Sequence, residues 1–218
     1  MALAIFDLDN TLIAGDSDFL WGEFLVQNGY VNAEHFSEQN ALFYQQYQAG
    51  TLDIMAYQRF ALEPLTHHDM TTLNQWHNEF MEQFIKPRTL AKAHALINEH
   101  KARGDRLLII TATNTFITRP IGTYYGINEL LGTEGVLVNN RYTGEVLGTP
   151  TFQQGKVTRL QAWLTEHNET LNGSYFYSDS HNDLPLLYIV EHPVVVDGDS
   201  KLLSVAQEKQ WKTISLRD

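Results

Sequence analysis

Asp7 and Asp9 stand two residues apart at the end of an apolar run, Ala2-Leu-Ala-Ile-Phe6, that reads as a buried strand. Side chains at i and i+2 of a strand point the same way. Two carboxylates held that close repel each other unless a cation or a shared proton lies between them. Later stretches supply groups that answer them: Thr111 in Thr111-Ala-Thr-Asn114, Lys156 after Gly155, and Asp179, Asn182 and Asp183 in Asp179-Ser-His-Asn182-Asp183. Together these groups fit a divalent cation and a phosphate. Asp7 can attack phosphorus as a carboxylate nucleophile, giving an aspartyl phosphate. Asp9 can protonate the leaving alcohol and then activate water. Asp7, Asp179 and Asp9 (the last through its backbone carbonyl) offer the oxygen ligands that Mg²⁺ prefers. Thr111 can hold a phosphoryl oxygen, Lys156 can neutralise phosphate and nucleophile, and Asn182 and Asp183 can support the metal loop. Each has a plainer reading alone: β propensity for the threonine, solvated surface for the lysine, a helix cap for the Asn-Asp pair. Their order along the chain argues for the chemistry.

The elements that must position these residues alternate between strand and helix. Arg106-Leu-Leu-Ile-Ile-Thr111 and Ser174–Ser178 read as strands of a parallel sheet, with Val194–Val196 and Thr213–Ser215 as shorter ones. Helices are expected at 114–125, 155–166, 184–190 and 200–209, and Asn139–Gly144 reads as a hairpin. Such alternation predicts a parallel sheet with right-handed crossovers, and ligands bind at the carboxyl ends of its strands. Residues 13 to 85 contain no convincing strand. Helices are expected there from Asp16 onward, from Asn32 or Ala33 to Gln48, from Leu52 to Leu62 with Pro64 as a stop, and from a Thr66–Asp69 capping box to Phe84. Pro87 then suits the start of a helix to Arg103, closed by Gly104. The expected organisation is a core of residues 1–12 and 86–218 with a helical cap of residues 13–85.

Composition narrows the partners. The 218 residues are 43% hydrophobic, enough for a sizeable core. A formal charge of −11 argues against nucleic acid or an anionic membrane surface. There is no cysteine, which excludes disulfide and thiolate chemistry. Neither a signal peptide nor a run of transmembrane length is apparent, so a cytoplasmic monomer or homodimer is expected.

The motifs Asp-x-Asp-x-Thr at 7–11, Thr111, Lys156 and Ser178-Asp-x-x-Asn-Asp183 together resemble the haloacid dehalogenase superfamily of phosphotransferases. Phe-Asp-Leu-Asp-Asn-Thr-Leu12 and Tyr-Ser-Asp-Ser-x-Asn-Asp-Leu-Pro-Leu-Leu187 look like its phosphoserine-phosphatase-like subfamily IB. That group includes enzymes assigned to phosphoserine and to histidinol phosphate. The resemblance implies an α/β, Rossmann-like core with an inserted all-helical cap of type C1, and Mg²⁺-dependent hydrolysis of a small phosphate ester. Ser178 replaces the commoner glycine of the fourth motif, a small change expected to leave metal binding intact.

The resemblance also implies substrate residues. Asp16 matches the subfamily's acid for a substrate amine, and Ala112 follows the phosphate-binding Thr111. The arginine that would clamp a carboxylate falls at Ala61, with Arg59 two residues away and roughly 200° round a helix. Asp16, Asp18, Trp21 and Tyr57 fit a cationic substrate such as histidinol phosphate better than phosphoserine, although these aromatics equally fit a cap core. His181 reads as a rim residue. Phosphoserine hydrolysis is the alternative; a phosphoacceptor receiver domain and a catalytically dead scaffold are alternatives of other classes. The cap and the paired acids argue against the receiver, and the full catalytic set argues against the scaffold.

Overall fold

The computed structural model describes residues 2–217. Strand β1 (Leu3–Phe6) is buried along its whole length because parallel strands flank it on both sides. Four helices follow: α1 (Ser17–Gln27), α2 (Ala33–Ala49), α3 (Ile54–Thr66) and α4 (Met70–Phe80). A π-helical turn, Met81–Ile85, and a 3₁₀ turn, Lys86–Arg88, lead into α5 (Ala91–Arg103) and β2 (Arg106–Asn114). Next come α6 (Thr115–Tyr124), β3 (Leu130–Val138), β4 (Arg141–Leu147), α7 (Gln154–His167) and β5 (Tyr175–Ser178). A 3₁₀ turn, His181–Asp183, opens α8 (Leu184–Leu187), and β6 (His192–Val196), α9 (Ser200–Lys209) and β7 (Lys212–Ile214) complete the chain.

The sheet runs β4-β3-β2-β1-β5-β6-β7, parallel throughout except for the β3–β4 hairpin. Strand order proceeds outward from β1 in both directions, so the ends of β1, β2 and β5 meet at the crevice where the order reverses. Side-chain alternation divides β1 between two cores. Ala4 and Phe6 face the layer that includes the helical insertion, with Trp21, Phe24 and Phe80. Leu3 and Ile5 face the opposite layer, with Leu160, Phe176 and Leu202. This is an α/β fold with a mostly parallel sheet and a helical insertion after its first strand. Both connections to the insertion run side by side: Ile13 bridges Thr89 antiparallel, and the Ala14 N–H donates to the Arg88 carbonyl at 2.9 Å.

Several boundaries differ from the sequence reading. Helix α3 begins after an Asp53 cap and passes through Pro64 to Thr66. The proline removes one backbone donor, but Leu62, Pro64 and Leu65 are all buried, and that packing outweighs the lost bond. Asp69, rather than Thr66, caps α4 by accepting from the Thr72 N–H at 2.9 Å. Pro87 sits in the 3₁₀ turn, and α5 starts only at Ala91. The hairpin turn is Asn139-Asn140 alone, both with positive φ (49° and 60°), which matches the twist of the flanking strands. Helix α8 ends at Leu187, three residues earlier than its apolar pattern reads.

Candidate active site

Asp7 follows β1 directly, and its N–H donates to the Tyr177 carbonyl at 2.9 Å, which fixes it against β5. The chain then reverses tightly: Asn10 takes φ 57°, and Leu12 N–H returns to the Leu8 carbonyl at 2.9 Å. This turn folds Thr11 back under the acids. Its hydroxyl lies 3.1 Å from Asp179 Oδ1 and 3.4 Å from Asp7 Oδ2, between two carboxylates from neighbouring strands.

Lys156 enters from the first turn of α7, 1% exposed, and its Nζ lies 2.7 Å from Asp7 Oδ1 and 2.8 Å from Asp183 Oδ2. A lysine this deep requires such partners. Burial works against its charge, but Asp183 and Asp7 outweigh burial and raise its pKa. Asp7 is raised to about 7, chiefly by burial; Lys156 opposes this, and Asp183 and Asp9 add to it. Asp179 is pushed well above the usual carboxylate range by burial and by the nearby Asp7 and Asp183. Ser178 does more than tolerate the site. Its hydroxyl donates to Asp183 Oδ2 at 2.7 Å and accepts from the Ser180 N–H at 3.1 Å, tying the loop to the strand that carries it.

Asp9 faces the helical insertion. Its Oδ1 accepts from the Ser17 N–H at 2.7 Å, and its Oδ2 from the hydroxyls of Thr111 (3.2 Å) and Thr113 (2.9 Å). Thr113 was not singled out by sequence, yet the signal was present: Thr111 and Thr113 are i and i+2 of one strand and point together. The loop after β5 also grips the insertion. Asn182 Nδ2 donates to the Tyr47 carbonyl at 2.9 Å, and Gln153 Nε2 donates to Asn182 Oδ1 at 3.0 Å. His181 stays at the edge, with Nδ1 at 2.8 Å from Asp199 Oδ2.

A divalent cation fits the donor set. Asp7, Asp9, Asp179 and Asp183 bring four acids against the single buried lysine, and burial penalises that excess charge. Among the described residues, no group of three or more His, Cys, Asp or Glu side chains is placed to hold a metal ion by itself. Two carboxylates suffice for Mg²⁺, which keeps several waters and takes remaining oxygens from a phosphate. The fit is therefore to Mg²⁺ rather than to a caged transition metal.

Above the acids, β2 and the insertion line a cavity whose empty space, open solvent at its mouth included, is about 510 Å³. Asp7, Asp9, Thr111, Ala112 and Thr113 line its floor, and Asp16, Asp18, Phe43, Tyr44, Tyr47 and Tyr57 are among the residues of its walls. The lining contains four acids and no Lys, Arg or His. Asp16 caps α1, and burial and the charge of Asp9 raise it well above the usual range. Asp18 is raised to about 7, again chiefly by burial, with the Tyr57 hydroxyl pulling the other way.

Two residues named for the substrate, and the position where a clamping arginine would fall, are placed elsewhere or otherwise employed. Arg59 is exposed and does not line the cavity. Trp21 is 2% exposed and packs on Phe24 and Phe80 at 5.2 Å each, as core. Ala61 is buried on α3, as are Leu62 and Leu65, and it carries no cation. Gln58 takes the inward position instead, and its Nε2 donates to the Ala112 carbonyl at 3.2 Å.

The haloacid dehalogenase-like hydrolase family model matches residues 4–188. A histidinol-phosphatase from Neisseria meningitidis serogroup C (strain 8013) is 44% identical over 99% of both chains. A solved protein of unknown function from Bordetella pertussis Tohama I superposes with a TM-score of 0.93 at 37% identity, covering 99% of this chain and 98% of that one. A phosphoserine phosphatase solved as a phospho-aspartyl intermediate analogue shares the fold, with a TM-score of 0.72 at 14% identity over 99% and 93% of the two chains.

Proposed function

The chain belongs to the haloacid dehalogenase-like hydrolases as a phosphatase, and from that premise we propose that it hydrolyses histidinol phosphate through an aspartyl phosphate, with Mg²⁺ bound. In this reading Asp7 attacks phosphorus and the phosphoryl group passes to its carboxylate. Asp9 gives its proton to the departing alkoxide, then takes one from the water that cleaves the acyl phosphate. Thr111 and Lys156 hold the phosphoryl oxygens and the nucleophile. Mg²⁺ at Asp7, Asp179 and the Asp9 carbonyl would offset the charge of phosphate and nucleophile so that the two anions can meet. Asn182 and Asp183 keep that loop in place, and residues 13–85 act as the cap that screens the reaction from water.

The observation that carries the substrate choice is the cavity lined by four acids and no base. A substrate carboxylate buried there without a cation costs several kcal/mol, on the order of that seen for unpaired buried charges. A substrate cation carries no such penalty. The relative called histidinol-phosphatase supports the same choice. Among the described residues no helix is long and apolar enough to cross a membrane. The test is a panel of phosphate esters with released phosphate as readout, run with Mg²⁺ and again after chelation. Histidinol phosphate should give the highest kcat/KM, and chelation should abolish turnover until Mg²⁺ is restored. Phosphoserine as the better substrate would overturn the choice of ester, and full activity in chelator would overturn the metal.

A further inference from the structure

The two acids on the cavity wall have different obligations. Asp16 is committed to the backbone: its Oδ1 accepts from the N–H groups of Asp18 and Phe19 at 3.0 and 2.9 Å. Asp18 is 6% exposed, and its buried Oδ2 has no hydrogen-bond partner. An acid in the first turn of a helix is favoured by the helix dipole, but that effect does not require burial. Removing a carboxylate oxygen from water without a donor costs stability, so the fold holds Asp18 against its own interest. Around it the walls are aromatic. Tyr57, on α3, lies edge-on to Phe43 at 5.3 Å, and Phe19 lies 5.0 Å from Tyr44.

We propose that Asp18, assisted by Tyr57, is the specificity residue that reads a ring nitrogen at the far end of the substrate. The imidazole N–H of histidinol phosphate donates to the Asp18 carboxylate, and the flat ring lies among the aromatic side chains while phosphorus sits over Asp7. This rests on the histidinol phosphate reading and adds the atom that tells this ester from one with a carbocyclic ring. A site built to hydrogen-bond a substrate N–H rejects the analogue lacking it far more strongly than a site that only fits its shape, by about 10⁴-fold in favourable cases.

The comparison ester is phenylalaninol phosphate, which has the same backbone and ammonium but no ring nitrogen. Wild type should favour histidinol phosphate over it by about a hundredfold or more in kcat/KM. Asp18→Leu should bring that ratio below about tenfold, and Tyr57→Phe should lower it less. Asp18→Leu should also melt a few degrees higher than wild type at pH 8, because a buried charge with one unpaired oxygen has been removed. A structural role would move melting the other way. A preference retained in Asp18→Leu, or a lower melting temperature at pH 8, overturns the assignment. If wild type turns over neither ester, the proposed function fails by itself. Inhibition of p-nitrophenyl phosphate hydrolysis by histidinol against phenylalaninol then still tests Asp18: equal inhibition in wild type overturns it, and a histidinol advantage lost in Asp18→Leu upholds it.

Discussion

At the strand ends Lys156 sits between Asp7 and Asp183, Asp9 accepts from three donors, and Thr11 reaches Asp179. On the first turn of α1, Asp18 keeps a buried Oδ2 with no hydrogen-bond partner, and only the Tyr57 hydroxyl favours its charged form. Both regions bury acids in one cavity, yet one is over-determined and the other is left open. On the proposed function, the difference follows from what each must meet. The phosphoryl group is the same in every ester, so its site can be fixed in advance by strands and their backbone. The alcohol varies, and a group that must pair with it cannot already be paired.

The comparison can be broken first at its most determined point. Asp7→Asn keeps the shape and removes the attacking charge, so turnover should fall by about a thousandfold or more while the far-ultraviolet circular dichroism is unchanged. Asp9→Asn should cost about 10²–10⁴ on an alkyl phosphate and much less on p-nitrophenyl phosphate, whose leaving group needs little protonation. Equal losses on both would remove Asp9 from proton transfer. Lys156→Met leaves Asp7 and Asp183 buried without their cation, and denaturant unfolding should show a loss of about 3–5 kcal/mol.

Asp18 gives the opposite sign, with a pH signature. Its carboxyl is raised from 3.8 to about 7, so between those values the folded protein holds the proton more tightly than the unfolded chain. That contribution to stability is present below pH 4 and is lost as pH rises through 7. Asp18→Leu lacks it, so its stability advantage over wild type should be small near pH 4 and grow to at most about 4 kcal/mol at pH 8. Melting or denaturant titrations across that range would show whether the gap opens. The smallest effect belongs to Arg59→Ala. Arg59 is exposed and outside the cavity, so stability should stay within about 0.5 kcal/mol and kcat/KM for histidinol phosphate should be unchanged.

The phosphate end was the more legible in sequence for the same reason that it is over-determined. Asp7, Asp9, Thr111 and Asp179 lie at or near strand ends, where period-2 alternation and sheet order place a side chain to within one residue, and Lys156 and Asp183 lie in the turns that open the helices following the sheet. Helical faces are less forgiving: a residue turns about 100° per position, so an error of one residue moves a side chain from cavity to solvent. That separates Gln58, which faces inward, from Arg59, which does not. Trp21 fits a substrate wall and a cap core equally by composition, and only its neighbours Phe24 and Phe80 decide between them. Pro64 reads as a stop because the cost of its missing N–H is local, whereas the burial that outweighs it depends on tertiary packing. The Ser178 hydroxyl looked like a neutral exchange for glycine because its partner, Asp183, lies five residues on and reaches it only through the 3₁₀ turn.

The acid-lined mouth also bears on how a substrate arrives. On a chain of net charge −11, the acids of this cavity, two on its floor and two on its wall, add a negative potential that fades within about 8–10 Å in physiological salt and is weakened where burial keeps a proton on them. A bare phosphate dianion is slowed by that field, whereas an ester carrying positive charge at its other end is a dipole and is rotated as it approaches. Its cationic end is drawn to the α1 side and its phosphate is left to the strand ends, where Mg²⁺ is proposed to bind. Raising ionic strength weakens both effects, so association of p-nitrophenyl phosphate should quicken with salt while that of the zwitterionic ester loses its guidance.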